Sequence, residues 1–174
     1  MIYRFIHIKK NAGTTVSKFL KRNGVKLLHG DDKDILLNHH ASAHSYVDED
    51  SFKICIVRNP YERTVSFYNW IKRLPAYDYS FEEYIENKET TGRAFNSWKT
   101  QCEYMYDDDK LLIDKIFRFE TLEADLKSYF GITKKFPHLN RSTFDSYESY
   151  YTPKLKEMVY ERFKEDFVKL GYSR

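Results

Sequence analysis

Residues 2–20, IYRFIHIKKNAGTTVSKFL, decide the fold, because they predict a strand, a tight turn and the start of a helix. Ile2 to Ile8 is rich in β-branched and aromatic residues, which is typical of a largely buried strand. Lys9 to Gly13 then turns the chain. From Thr14 the apolar residues recur at helical spacing, and Asn23-Gly24 is expected to end the helix.

The turn before this helix predicts an anion-binding site. A helix N-terminus presents backbone N–H groups without intrahelical partners and the positive end of the helix dipole, and phosphate is its usual ligand. Lys10 adds a full positive charge, and Thr14 and Thr15 add hydroxyl donors. The P-loop of nucleotide hydrolases differs, because there a Gly-Lys pair precedes Ser or Thr, whereas here Lys10 precedes Gly13. A basic turn without a ligand is the alternative interpretation.

The composition predicts one folded domain over residues 1–174. Of these 174 residues, 41% are hydrophobic, which suffices for a core. Positive and negative residues nearly balance, and the net charge of +3 is too small for a protein that coats nucleic acid. We find neither a run of apolar residues that could span a membrane nor a signal peptide, and therefore expect a soluble, cytoplasmic protein. Two cysteines cannot form a disulfide scaffold, and Cys55 is predicted to be a small core residue.

Strands and helices alternate along the rest of the chain. Further strands are predicted at Val25–Leu28, Phe52–Val57 and Lys115–Phe119, and helices at Pro60–Leu74, Phe81–Asn87, Leu122–Phe130 and from Pro153 to about Leu170. This alternation predicts an α/β fold, a three-layer sandwich with a central parallel sheet flanked by helices. Ligands of such sheets bind at the carboxyl ends of the strands, where Lys10 and Arg58 both fall.

Two motifs resemble those of the sulfotransferases that use 3′-phosphoadenosine 5′-phosphosulfate (PAPS). His7 to Thr15, HIKKNAGTT, is similar to the 5′-phosphosulfate loop of the carbohydrate sulfotransferases, and Val57 to Tyr68, VRNPYERTVSFY, resembles their 3′-phosphate motif. The resemblance implies a P-loop-like sulfotransferase fold. It also implies that PAPS is held at one end by Lys10, Asn11, Ala12, Gly13, Thr14 and Thr15, and at its 3′-phosphate by Arg58 and Ser66. Arginine suits the latter role because its guanidinium forks onto phosphate oxygens.

Later segments extend the resemblance to most of the chain. Residues 118–126, RFETLEADL, and 137–142, PHLNRS, resemble segments of the carbohydrate branch. By this resemblance Arg141 and Ser142 bind the nucleotide, although a solvated basic loop is the alternative. Arg63 also matches the 3′-phosphate motif, and a structural role for it is left equally open.

A general base is expected among three neighbouring histidines. His40 is the first choice, because residues 40–43, HASA, resemble the His-x-Ser/Thr stretch whose histidine is the proposed base of several carbohydrate sulfotransferases. His39 and His44 are alternates, and a non-catalytic cluster also remains open. His40 and His44 have the spacing of helical zinc ligands, but a third ligand is missing, so we expect no metal.

The implied activity is transfer of a sulfuryl group from PAPS to a hydroxyl acceptor, which leaves adenosine 3′,5′-bisphosphate (PAP). Lys10 would stabilise the leaving group, and a carbohydrate is the expected acceptor, with no nucleic-acid partner and no membrane span. Tyrosine, lipid and small-alcohol acceptors remain possible. Two other functions stay open: a P-loop-like small-molecule kinase using ATP, and a non-catalytic module that binds a nucleotide or a glycan.

Overall fold

The computed structural model describes residues 1–29, 42–47, 50–74, 77–86, 98–137 and 146–174. The chain divides into two compact units. We call Met1–Arg58 with Gln101–Arg141 the sheet unit, and Asn59–Thr100 with Ser142–Arg174 the helical unit. The single domain over residues 1–174 stays a prediction.

The described residues form six strands and seven α-helices. The strands are β1 (Tyr3–Ile6), β2 (Leu27–His29), β3 (Phe52–Val57), β4 (Tyr106–Asp107), β5 (Lys110–Leu111) and β6 (Lys115–Arg118). The helices are α1 (Gly13–Arg22), α2 (Pro60–Ile71), α3 (Phe81–Glu86), α4 (Cys102–Met105), α5 (Leu122–Phe130), α6 (Pro153–Arg162) and α7 (Lys164–Leu170).

A parallel sheet of four strands, in the order β2-β1-β3-β6, is the centre of the sheet unit. It confirms the predicted α/β fold with a central parallel sheet flanked by helices. Three predicted strands need correction. β6 ends at Arg118 instead of Phe119. β1 ends at Ile6 instead of Ile8, because Ile6 opposite Cys55 is its last pair with β3. β2 begins at Leu27 instead of Val25, because the pairing of this strand with β1 begins at Leu27, opposite Tyr3.

The two faces of the sheet are covered differently within the sheet unit. One face packs against α1 and α5 in an apolar core that includes Phe5, Val16, Phe19, Leu20, Ile54, Ile56, Phe117, Leu122 and Leu126. Side chains alternate along a strand, so Arg4 and Cys55 point to the other face. There the Arg4 guanidinium lies 4.3 Å from the centre of the Tyr46 ring, and Cys55 Sγ lies 3.2 Å from Met105 Sδ of α4. Cys55 is fully buried, which confirms its core role, and burial raises the pKa of its thiol.

The helical unit has its own apolar core, and it corrects the prediction of one closing helix. Leu155, Val159, Phe163 and Phe167 all pack in this core, yet the helix breaks at Phe163 into α6 and α7. Four-residue spacing drifts about 40° per step from the helical repeat, so a straight helix would carry this stripe away from the core. The break at Phe163 offsets the drift. α2 is likewise shorter than predicted and ends at Ile71.

Candidate active site

The turn between β1 and α1 has strained backbone at two positions. Lys10 (φ 69°) and Ala12 (φ 61°) adopt the left-handed conformation, which costs non-glycine residues about 1–2 kcal/mol each. α1 begins at Gly13, its N-cap Ala12 supplies no side-chain hydrogen bond, and its first turn has no acidic residue. The helix N-terminus therefore keeps its positive field without neutralisation by the chain's own first turn.

Gly13 lies against the imidazole ring of His7. A Cβ placed on Gly13 would overlap this ring, which itself stacks on Phe5 with 5.6 Å between ring centres. The absence of a side chain at Gly13 thus lets His7, which directly follows β1, pack closely on the first residue of α1. His7 therefore has a packing role.

Asn11 directs its side chain into the sheet unit. It is 1% exposed, and its Nδ2 group donates to the Ile56 carbonyl and to Gln101 Oε1, both at 2.7 Å. The two amide protons are thereby used within the protein. An anion would have to be bound by the backbone of Asn11, since the remaining side-chain atom, Oδ1, is an acceptor.

Gln101 is a site residue that the sequence analysis missed. This side chain is fully buried, and besides Asn11 it binds both polar main-chain groups of Arg58. Gln101 Oε1 accepts from the Arg58 N–H at 2.9 Å, and Nε2 donates to the Arg58 carbonyl at 2.8 Å. No recognisable motif surrounds Gln101, and its partners are distant in sequence, so the chain offers no local signal for it.

The Arg58 side chain and the main chain of Lys10, two residues singled out in the sequence, come together at the carboxyl ends of β1 and β3. Arg58 Nη1 donates to the Lys10 carbonyl at 2.9 Å, and the guanidinium lies 3.9 Å from the centre of the Phe119 ring. Arg58 is 6% exposed. The Lys10 turn, the N-terminus of α1 and Arg58 thus combine positive charge with N–H donors, an arrangement suited to phosphate or sulfate groups.

Two residues of the 3′-phosphate motif lie on α2 in the helical unit. Ser66 is buried there. Arg63 is 2% exposed, its Nη2 donates to the Lys99 carbonyl at 3.0 Å, and its guanidinium lies 5.8 Å from the centre of the Phe163 ring. These contacts give Arg63 a structural role within the helical unit.

The predicted base and the basic loop fall mainly on residues that are not described. His39, His40, Arg141 and Ser142 lie outside the described residues. His44 is described; it is exposed, and its Nδ1 lies 3.4 Å from Asp107 Oδ1. Across the described ranges, no group of three His, Cys, Asp or Glu residues could hold a metal ion.

The fold places this chain in the class of parallel α/β proteins, and its turn after the first strand offers N–H donors to an anion. The chain belongs to the sulfotransferase family, because the family model described as "Sulfotransferase family" matches residues 4–173. Neither a curated protein nor a solved structure matches the chain. Among the helices of the described ranges, none is long and apolar enough to cross a membrane.

Proposed function

We propose that this protein transfers a sulfuryl group from PAPS to a hydroxyl of a carbohydrate. The family supports sulfuryl transfer in general. The single observation that carries the choice of donor is the hydrogen bond from Arg58 to the Lys10 carbonyl, which joins the two motifs whose counterparts bind the two ends of PAPS. PAPS has an anionic group at each end of its ribose, so it needs two cationic anchors of this kind.

The donor set fits such a ligand. Gly13 and Thr14 would offer backbone N–H groups to the 5′ end, Thr14 and Thr15 would offer hydroxyls, and Lys10 a positive charge. Arg58 would bind the 3′-phosphate, as would Ser66, Arg141 and Ser142 by the resemblance. When bound, PAPS supplies a sulfuryl group whose transfer leaves PAP. Lys10 then serves to stabilise the negative charge on the departing phosphate.

We propose that His40 accepts the proton of the acceptor hydroxyl. Neutral imidazole has a suitable pKa for this role near neutral pH. His39 and His44 are the alternatives. His44 pairs with Asp107, a carboxylate that could orient its ring.

The decisive experiment is transfer from sulfur-labelled PAPS to a panel of glycans, tyrosine peptides, lipids and small alcohols, with products identified by mass. We expect a labelled glycan and release of PAP. Transfer of phosphate from ATP with Mg²⁺ would instead indicate a kinase. PAP binding without transfer to any acceptor would indicate a binding module.

Arg58→Ala should weaken PAP binding, because it removes the proposed 3′-phosphate anchor. A charged hydrogen bond of this kind is worth about 1.5–3 kcal/mol, which corresponds to roughly ten- to a hundredfold in Kd. Isothermal titration calorimetry with PAP measures the change, and 5′-AMP, which lacks the 3′-phosphate, is the control ligand. Equal losses for both nucleotides would contradict the assignment of Arg58 to the 3′-phosphate.

His40→Ala should keep PAP affinity and lower kcat by about a hundredfold or more, because it removes the base but no donor-binding group. The same substitution at His39 and at His44 provides matched controls in one segment of the chain. Full activity of His40→Ala, with loss in one of the other two, would move the role of the base to that histidine.

A further inference from the structure

We propose that Gln101 is a positioning residue that couples the Lys10–Gly13 turn to Arg58, so that both ends of a doubly phosphorylated nucleotide are bound cooperatively. The inference rests on the proposed function, because it concerns the same nucleotide. Gln101 does not touch the ligand in this proposal and acts through its neighbours.

The first half of the coupling is the hold of Gln101 on the main chain of Arg58. One side-chain amide binds the N–H and the carbonyl of the same residue, at 2.9 and 2.8 Å, as a partner residue does in an antiparallel ladder. Arg58 follows the last residue of β3 and has left the ladder between β3 and β6. Gln101 thereby fixes the backbone from which the Arg58 guanidinium extends.

The second half is the hold of Gln101 on the turn. Its Oε1 also accepts from Asn11 Nδ2 at 2.7 Å, and Asn11 donates in turn to Ile56, two residues before Arg58. The Arg58 side chain in turn donates to the Lys10 carbonyl, and we call this set of hydrogen bonds among Lys10, Asn11, Ile56, Arg58 and Gln101 the circuit. The main chain of Arg58, its side chain and the turn are thus joined by four buried hydrogen bonds and one part-buried hydrogen bond, which strengthen one another in surroundings of low polarity.

Such a circuit matters most for a ligand that contacts both anchors at once. After one phosphate of the ligand binds, the effective concentration of the second phosphate at its own anchor depends on how rigidly the distance between the turn and Arg58 is fixed. A turn and an arginine that move independently would still bind a single phosphate each. They would lose the additional affinity that comes from binding two phosphates on one molecule.

The test compares PAP with 5′-AMP in Gln101→Met, which keeps the length of the side chain and removes its hydrogen bonds. Isothermal titration calorimetry should show PAP affinity lower by about tenfold or more, with 5′-AMP affinity within about threefold of the parent protein. Asn11→Ser removes the hydrogen bonds of the turn to Gln101 and Ile56 and should lower PAP affinity by a larger factor than 5′-AMP affinity, because 5′-AMP contacts only the turn. Because that variant leaves Gln101 bound to Arg58, it carries the test if Gln101→Met does not fold.

Leu126→Ala is the control for general destabilisation. Leu126 is fully buried in the core of the sheet unit and belongs to neither motif. The substitution should lower Tm and leave the ratio of PAP to 5′-AMP affinity unchanged.

The double variant Asn11→Ser/Gln101→Met should lose no more selectivity for PAP over 5′-AMP than either single variant, because both substitutions break the same circuit.

The outcomes separate the two proposals. If the parent protein does not prefer PAP to 5′-AMP, the proposed function is wrong and this inference is overturned with it. If the parent prefers PAP and Gln101→Met retains the full preference, or loses both nucleotides by one factor, the coupling is wrong and the proposed function stands.

Discussion

At the scale of single residues, the turn after β1 combines strain with close packing. Lys10 and Ala12 hold left-handed backbone although neither is glycine, whereas the glycine of this turn, Gly13, is needed for space beside His7. Strain of this kind persists where surrounding contacts fix the chain, and it is frequent at functional sites. Two sets of contacts fix the chain here. The Asn11 side chain donates to Ile56 and Gln101, and the Lys10 carbonyl accepts a hydrogen bond from Arg58.

Gly13→Ala should destabilise the protein by about 1–3 kcal/mol, because the new methyl group displaces the His7 ring from its stack on Phe5. Urea unfolding measures the loss. In the background of His7→Ala, where the ring is absent, the same substitution should cost clearly less. Additive effects of the two substitutions would show that the His7 ring is not the obstacle.

At the scale of elements, helix starts were the most readable feature of the sequence. α2 begins at Pro60, as predicted, and the Asn59 side chain accepts from the N–H groups of Tyr61 and Glu62 at 2.9 and 3.4 Å. Thr152 caps α6 in the same way, and Gly131 ends α5 in left-handed conformation. These signals are local, since each depends on a side chain and the backbone within a few residues of it.

Asn59→Ala should lower the free energy of unfolding by about 1 kcal/mol, because it leaves two N–H groups of α2 without the cap. Chemical denaturation gives the value. Asn59→Asp keeps the acceptor oxygen at the N-terminus of the helix and should cost much less. Equal losses in the two variants would argue against the cap as the cause.

At the scale of the whole molecule, sequence patterns predicted the features that depend on repeated elements or on residues close together in the chain. The alternation of strands and helices predicted the central parallel sheet, and the ends of the predicted strands placed Lys10 and Arg58 at its carboxyl edge. Neither the break at Phe163 nor the role of Gln101 was predictable in this way. The first depends on where a core lies, and the second on partners that are 43 and 90 positions away in the chain.

The hydrogen bonds of Gln101 also fix where the chain departs from the sheet unit and where it comes back. The departure is at Arg58 and the return is at Gln101, and these two residues bind each other directly. The intervening chain is therefore a closed excursion, and loop-closure entropy rises only slowly with its length. The place of Arg58 beside the turn is therefore set by its contacts with Gln101 and Lys10 and does not depend on the length of the intervening chain.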